Sequence, residues 1–412
     1  MKYVIIGNST AAVGAIEGIR KIDSAGEIIV ISKESYHVYS RPLISYLLYG
    51  KTDEERMKYR KDNFYKAMNC KTILGKKAVK IHHASKVVEL DDNTHINYDK
   101  LLIATGSEPF IPPMEGLENV KQKFTFMSLD DAKNLEKALS PDSKVLIIGA
   151  GLIGLKCAEG IRKRVNNITV VDLADRILSS ILDQEGANVV QSHLEKENIN
   201  FILNTSVTKF LNNKALLSNG EEIDFDVLVL AVGVRPNVDL IKEINGKVNR
   251  GIVVDEFCQT SLFDIYAAGD CCESYDITTN QNRVLALLPN AYMMGECAGI
   301  NMAGGEKTYD KAIPMNSIGF FGLHMVTAGN YDGEVYTQNE FGQYKKLFVK
   351  DGLLKGYIIV GNIEKAGIYT SLIRERTPLS DIDFELICSK PSLMAFSKIE
   401  RKKKLGGAVH GY

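Results

Sequence analysis

Short apolar runs that stop at small residues recur along this chain, and they set its organisation. Lys2–Ile6, Ile28–Ile31, Lys144–Ile148 and Ile168–Val171 each have the length and branched apolar content of one buried strand. Two of them stop at a glycine and pass straight into a helical stretch, one running to Arg20 and one opening at Leu152. Val87–Leu90, Gly251–Val254 and Ile265–Ala268 read as further strands, and Asn290–Ala303 as a helix. The small residues of that helix, Ala291, Gly295, Ala298 and Gly299, allow close approach to a cofactor or to a sheet. From about residue 316 the pattern changes. Tyr344–Val349 and Leu354–Val360 are joined through Asp351-Gly352, a hairpin signal, and a helix is expected over Ile363–Arg374. Strands alternating with helices and then a hairpin predict an α/β fold with two Rossmann-like dinucleotide-binding domains and a C-terminal α+β domain.

The residues at the two strand-to-helix junctions carry the first chemistry. Gly149-Ala-Gly151-Leu-Ile153-Gly154 follows its strand and opens its helix, so its glycines permit a tight turn and the helix offers unpaired amides to a pyrophosphate. Asp172 stands at the end of the next strand, where an acid accepts both ribose hydroxyls of NAD and repels the 2′-phosphate of NADP. Charge-assisted hydrogen bonds of roughly 1.5–3 kcal/mol would favour NADH about ten- to a hundredfold. The N-terminal junction, Gly7-Asn-Ser9-Thr-Ala-Ala12, departs from this pattern: Ser9 replaces the second glycine and Ala12 the third. The Ser9 hydroxyl can donate to a phosphate instead. Glu34 lies just beyond the second strand and is a candidate for an adenosine ribose, although the acid is expected nearer Ser32.

Bulk properties exclude several classes. A formal net charge of −1 and an apolar content of 45% argue against a nucleic-acid partner, a polybasic membrane partner and disorder. No stretch has the length of a membrane span, and a first strand starting at residue 2 or 3 leaves no room for a cleaved leader. The seven cysteines are odd in number and scattered, with no CxxC, no CxxxxC and no metal-ligand spacing, so no metal site is expected and reduced thiols in a cytoplasmic protein are. Adjacent Cys271 and Cys272 read as small buried residues. His82-His83 reads as a surface pair. The basic run Lys398–Lys404 reads as a solvated tail, with steering of an acidic electron carrier as the alternative.

Four further landmarks stand in order: Tyr39-Ser40-Arg41-Pro42, Ala104-Thr105-Gly106 within Tyr98–Pro109, Ala231-Val-Gly233-Val-Arg-Pro236-Asn237, and Ile265-Tyr-Ala-Ala-Gly269-Asp270. Together with the two loops they resemble the FAD-dependent pyridine nucleotide-disulfide oxidoreductase superfamily. The Arg-Pro after Tyr-Ser, and Asn290 through Gly304, resemble its branch of NADH:rubredoxin and ferredoxin reductases and the flavin half of nitrite reductase. That branch lacks an active-site Cys, and Ser40-Arg41-Pro42-Leu43 has none. The resemblance implies FAD held by Gly7, Ser9, Ala12, Glu34, Arg41, Pro42, Ala104, Thr105, Gly106, Gly269, Asp270 and Asn290, and NADH held by Gly149, Gly151, Ile153, Gly154, Asp172 and Gly233. It commonly places a Lys at the position of Tyr46 and a Glu at that of Lys156, paired beside the flavin. Here Lys156 is expected either to bring the positive charge from the opposite side or to point into solvent. Tyr46 is then a stacking or gating ring, and Glu159 pairs with Lys156 or with the nicotinamide amide.

The implied domains are an FAD-binding domain at 1–108, an NAD-binding domain at 109–236, the return of the FAD domain at 237–315, and a C-terminal interface domain with an extension at 316–412. Pro109–Gly116 and Arg235-Pro236-Asn237 are the expected linkers, and residues from about 376 carry no readable motif. The implied activity is hydride transfer from NADH to FAD, then electron delivery to rubredoxin, ferredoxin or a larger redox complex. The resemblance implies that the C-terminal domain either covers the flavin face opposite the nicotinamide or forms a homodimer contact. The competing readings are an NADH oxidase that uses oxygen, and a nucleotide-binding sensor or structural subunit without turnover.

Overall fold

The computed structural model describes residues 1–340 and 342–405. Before the first linker the strands are β1 (Lys2–Ile6), β2 (Glu27–Ser32), β3 (Cys70–Leu74), β4 (Ala78–His82), β5 (Val87–Leu90), β6 (His95–Asn97), β7 (Lys100–Ile103) and β8 (Ser107–Pro109). The helices of this stretch are α1 (Thr10–Ile22), α2 (Ile44–Tyr49) and α3 (Phe64–Ala67). Next come β9 (Lys123–Phe124), α4 (Leu129–Ala138), β10 (Lys144–Ile148), α5 (Leu152–Ile161), β11 (Asn167–Val171), α6 (Gln184–Glu195) and β12 (Ile199–Ile202). They are followed by β13 (Val207–Leu211), β14 (Lys214–Leu217), β15 (Glu222–Asp224), β16 (Val227–Leu230), β17 (Val234–Pro236), α7 (Asp239–Lys242), β18 (Ile265–Ala267), β19 (Ser274–Asp276), β20 (Gln281–Arg283) and α8 (Leu288–Met302). The C-terminal elements are β21 (Met315–Phe320), β22 (Leu323–Gly329), β23 (Glu334–Glu340), β24 (Gln343–Lys350), β25 (Leu353–Val360), α9 (Ala366–Glu375), α10 (Phe384–Ser389) and α11 (Lys398–Leu405).

Two compact units result. Residues 1–177, 197–276 and 281–312 form the first, which holds two parallel five-stranded sheets, ordered β18-β7-β1-β2-β3 and β12-β11-β10-β16-β9. Both centre on an apolar strand that leads into a glycine loop: Val4 and Ile5 of β1, and Leu146 and Ile147 of β10, are fully buried, as strands covered on both faces must be. The expected linkers begin and end in a paired ribbon. β8 and β17 form an antiparallel ribbon in register Val234↔Pro109 and Pro236↔Ser107. Asn237 locks it by donating its amide to the Thr105 carbonyl and accepting the Thr105 hydroxyl on its own carbonyl, both at 2.9 Å.

Helix α8 finds an unexpected neighbour. Of its small residues, Gly295 and Gly299 face α1: a Cβ on Gly295 would lie 2.0 Å from the Ala11 carbonyl oxygen, and one on Gly299 would lie 2.2 Å from that of Ala15. From α1, Gly14 and Gly18 meet the Tyr292 and Glu296 carbonyls in the same way, at 2.3 and 2.5 Å. Gly251–Val254 forms single bridges, Ile252 with Val248 and Cys272 and Val254 with Thr260, instead of the expected strand. Its backbone groups are shared among separate partners, including the Glu273 carboxylate on the Arg250 and Gly251 amides, so no ladder extends.

The second unit, residues 178–196, 277–280 and the described residues from 313 onward, carries the antiparallel sheet β21-β22-β25-β24-β23. Asp351 and Gly352 both take positive φ (55° and 68°), as a two-residue hairpin turn requires. Helix α9 starts at Ala366, later than expected, because Lys365 sits in the left-handed region (φ 63°). Helix α6, expected to belong to 109–236, groups with this unit: Asp183 at its N-cap accepts from Tyr344 at 2.5 Å and pairs with Lys346 at 2.7 Å. The segment after 376 joins the same core through Ile387, Ala395 and Phe396. The basic run forms α11 and is partly anchored, since Lys404 pairs with Glu375 at 2.6 Å.

Candidate functional site

Gly7 and Gly149 occupy equivalent places. Their φ angles are +121° and +111°, and each amide bonds a carbonyl near the end of the neighbouring strand, that of Ile31 or Val171 respectively, at 2.8 Å. A Cβ at either would overlap a carbonyl, that of Ala104 (2.0 Å) or Ala231 (2.3 Å), so only glycine fits. Gly151 is the N-cap of α5 and looks into open space, with nothing within 4 Å of a Cβ placed there. A Cβ on Gly154 would lie 1.9 Å from the Gly149 carbonyl, which draws the helix tight against its loop; Ile153 lies half-buried in the same first turn. Asp172 accepts from the Ala150 amide at 2.5 Å and the Ala174 amide at 2.8 Å, so the acid shapes the loop as well as facing it.

At the N-terminal loop Ser9 is the N-cap of α1 and its hydroxyl makes no capping bond, while Ala12 is fully buried. The Glu34 carboxylate, expected at a ribose, is taken up by its own chain: it pairs with Arg41 and accepts the Tyr39 hydroxyl at 2.6 Å. Tyr39 in turn accepts the buried Leu129 amide at 3.0 Å, and Arg41 reaches the Met127 carbonyl at 3.3 Å. Burial pushes the Tyr39 phenol up, so it stays a donor to Glu34. Pro42 starts the turn that leads into α2, where its carbonyl accepts the Ser45 hydroxyl at 3.1 Å. Gly269 (φ +85°) lies between Ala11 and Ala291, at the starts of α1 and α8, and delivers Asp270 there. Ala104 bonds Ile6 at 2.8 Å, and the neighbouring Gly106 and Gly233, both at positive φ, face open space. Asn290 is buried and accepts the Tyr309 hydroxyl at 3.0 Å.

Lys156, Glu159 and Tyr46 come together. Helices α2 and α5 cross at Gly160, where a Cβ would lie 2.9 Å from the Ser45 carbonyl. One turn earlier Lys156 pairs with Glu159, whose side chain is 2% exposed, and its ammonium lies 4.3 Å from the centre of the Tyr46 ring. The solvent-facing alternative for Lys156 therefore fails: its side chain is only 17% exposed. Cys157 beside it is fully buried, and burial pushes its thiol up, which makes it inert. Cys271 and Cys272 likewise donate to backbone carbonyls, those of Ile103, Ala268 and Gly269, and all seven cysteines are free.

These residues fit a dinucleotide at each loop. The open space at Gly151 and the uncommitted Ser9 hydroxyl are where phosphates need room and donors. Asp270 is a half-buried carboxylate that receives no hydrogen bond among the described residues. Burial, opposed only in part by Arg41, pushes it up to about 6. Such a group fits the hydroxyls of a flavin side chain that it would accept from. Sequence patterns include Tyr39 and Asn237 in their motifs but assign them no role, and the structure shows that they fix the two segments around the site. Their one signal is position, flanking Arg41 and following Pro236.

Comparison with known proteins agrees with this geometry. The family model described as pyridine nucleotide-disulphide oxidoreductase matches residues 1–295, and the rubredoxin NAD+ reductase C-terminal domain matches 314–377. The epsilon subunit of NADH-dependent phenylglyoxylate dehydrogenase from Aromatoleum evansii is 32% identical over 395 residues, 92% of this chain and 93% of that protein. The rubredoxin-NAD(+) reductase of Pseudomonas putida is 32% identical over 313 residues, 74% of this chain and 80% of that one. Putidaredoxin reductase, solved in covalent complex with putidaredoxin, shares the fold with a TM-score of 0.86 at 22% identity, over 95% of this chain and 97% of that one. The chain is an oxidoreductase that uses FAD and NADH, and it belongs to the pyridine nucleotide-disulphide oxidoreductase family.

Proposed function

We propose that this protein takes electrons from NADH and delivers them to a protein acceptor, either a small one-electron carrier of the rubredoxin or ferredoxin kind or a partner subunit of a larger redox complex. The observation that carries the reading is the presence, in one compact unit, of two strand–glycine–helix loops, with no thiol in the Ser40–Leu43 approach. The names of the two relatives above support a protein acceptor, one pointing to a free carrier and the other to a multi-subunit dehydrogenase. A cytoplasmic location accords with the seven free cysteines, and no helix among the described residues is long and apolar enough to cross a membrane.

FAD, when bound, supplies the conversion between the paired electrons of NADH and the single electrons such acceptors take. The chain's own residues bind and orient. Gly149, Gly151, Ile153, Gly154, Asp172 and Gly233 hold NADH; Gly7, Ser9, Ala12, Arg41, Pro42, Ala104, Thr105, Gly106, Gly269, Asp270 and Asn290 hold FAD. Glu34 acts one step back, by fixing Arg41. Lys156, steadied by Glu159 and lying over Tyr46, keeps a positive charge where negative charge develops. No side chain serves as a general base.

The test is anaerobic mixing of the flavin-loaded protein with NADH while flavin absorbance is followed, with rubredoxin, ferredoxin or air added in separate traces. Fast bleaching that a carrier protein reverses is the expected result. Bleaching reversed only by air would make the protein an oxidase, and no bleaching would leave a nucleotide-binding subunit without turnover.

A further inference from the structure

From the three-stranded sheet β4-β5-β6 we infer a surface site for a divalent transition-metal cation, zinc being the best match, with His82, Glu89 and His95 as its ligands. Beyond a register irregularity between Ala78 and Lys80, the sheet alternates. Ile81, Val88 and Leu90 are buried on one face, so His82, Glu89 and His95 are turned to the other. Glu89 pairs directly across from His95 and diagonally from His82, which is itself opposite Val87. One ligand atom from each of the three side chains lies within 4.8 Å of the other two. Glu89 and His82 already touch, carboxylate oxygen to Nε2, at 2.8 Å, and the two imidazole rings stand nearly parallel at 6.1 Å.

A zinc ion bound at about 2.0–2.1 Å to each of three tetrahedral ligands needs those atoms about 3.3 Å apart. The His82–Glu89 contact opens slightly to reach that spacing, and His95 closes on it by side-chain rotation, while the paired strands hold the three Cα positions fixed. Two imidazoles and one carboxylate select zinc and its neighbours over magnesium or calcium, which take oxygen. The fourth position faces outward, open to water or to a donor from another molecule. Lys80 is the competing cation, directly across from Glu89 on β4. His83 takes no part: its ring faces the Phe263 carbonyl at 3.3 Å. Spacing along the sequence hides the site because strand pairing, not proximity in the chain, assembles it.

The test uses the full flavin-loaded chain, stripped with a chelator and dialysed against zinc chloride with metal counting, alongside the His95→Ala and Glu89→Gln variants. Both replaced side chains lie on the outer face, and circular dichroism with flavin content verifies that the fold is kept. We expect one zinc per chain beyond what either variant binds, an affinity weakened about tenfold or more in each variant, and a four-coordinate visible spectrum when Co2+ replaces zinc. Equal zinc binding by parent and variants overturns the site. So does displacement of the zinc by an equal concentration of Mg2+, or a parent that binds no zinc at all.

Discussion

The two nucleotide loops are built on one plan and finished in two ways. Position by position, Gly7, Ser9, Ala12, Gly14, Glu17 and Gly18 correspond to Gly149, Gly151, Gly154, Lys156, Glu159 and Gly160. The first glycine is the same in both because the backbone demands it: positive φ and a carbonyl where a Cβ would be. Later positions answer to whatever the helix packs against. Helix α1 lies on α8 through both Gly14 and Gly18, so neither can carry a side chain, and its Glu17 is spent on Arg60 at 2.7 Å and Tyr292 at 2.6 Å. Helix α5 crosses α2 through Gly160, which leaves the position of Gly14 free to carry Lys156 over Tyr46. A glycine loop thus fixes where a nucleotide can sit, and the helix's neighbour decides whether the following turn is structural or chemical.

The largest effect should come from erasing that difference. Gly14→Ala puts a methyl into the Tyr292 carbonyl and should cost about 3 kcal/mol or more, read as a lowered denaturation midpoint with loss of bound flavin. Asp270→Asn should act in two directions. With its carboxyl pushed up to about 6 against the ordinary 3.8, the native state binds more protons than the unfolded one between those values, so stability falls as pH rises through that window. The flavin-free Asn variant should therefore be more stable than its parent by up to about 3 kcal/mol above pH 6. The gain should fade below pH 4, in urea melts across pH, while FAD affinity drops. A parent no less stable than the variant at neutral pH would mean that Asp270 is not the uncompensated group described here.

On the other loop, Asp172→Asn should cut the preference for NADH over NADPH by about tenfold or more, seen in kcat/KM for the two nucleotides with flavin content unchanged. Lys156→Met should lower the melting temperature, because it leaves the buried Glu159 carboxylate without its ammonium partner, and should lower the flavin midpoint potential by roughly 30 mV, the two-electron equivalent of about 1.4 kcal/mol. An unchanged potential would remove Lys156 from the flavin's surroundings. Smallest of all, Ser9→Gly restores the usual second glycine and should change FAD affinity by only a few tenths of a kcal/mol, measurable by titration of the apoprotein.

Much of the molecule was legible in its sequence because local and global signals agree there. Lys144–Ile148 and Val87–Leu90 are strands with the expected ends, and the Asp351-Gly352 turn joins β24 to β25 as its residues require. Legibility fails where partners come from far away. Gly251–Val254 has strand composition but no single neighbour to pair with, and the Glu34 carboxylate is claimed by Arg41 and Tyr39 through a fold of the chain that no spacing rule encodes. The pairing of β8 with β17 is hidden for the same reason: each is a short Pro-containing segment that reads as a linker until the other returns beside it.

The glycine faces of α1 and α8 also set a schedule for the protein's birth. On a ribosome adding 5–20 residues each second, the stretch between these helices takes roughly 15 to 60 seconds to synthesise. Throughout that time the bare side of α1 has no mate, and β7 awaits β18 at its edge. Any truncated or stalled chain ending before Leu288 would display that unfinished surface, so the first helix made depends on one of the last segments of its unit to emerge, and a chaperone that covers it in the interval would raise the yield of active protein.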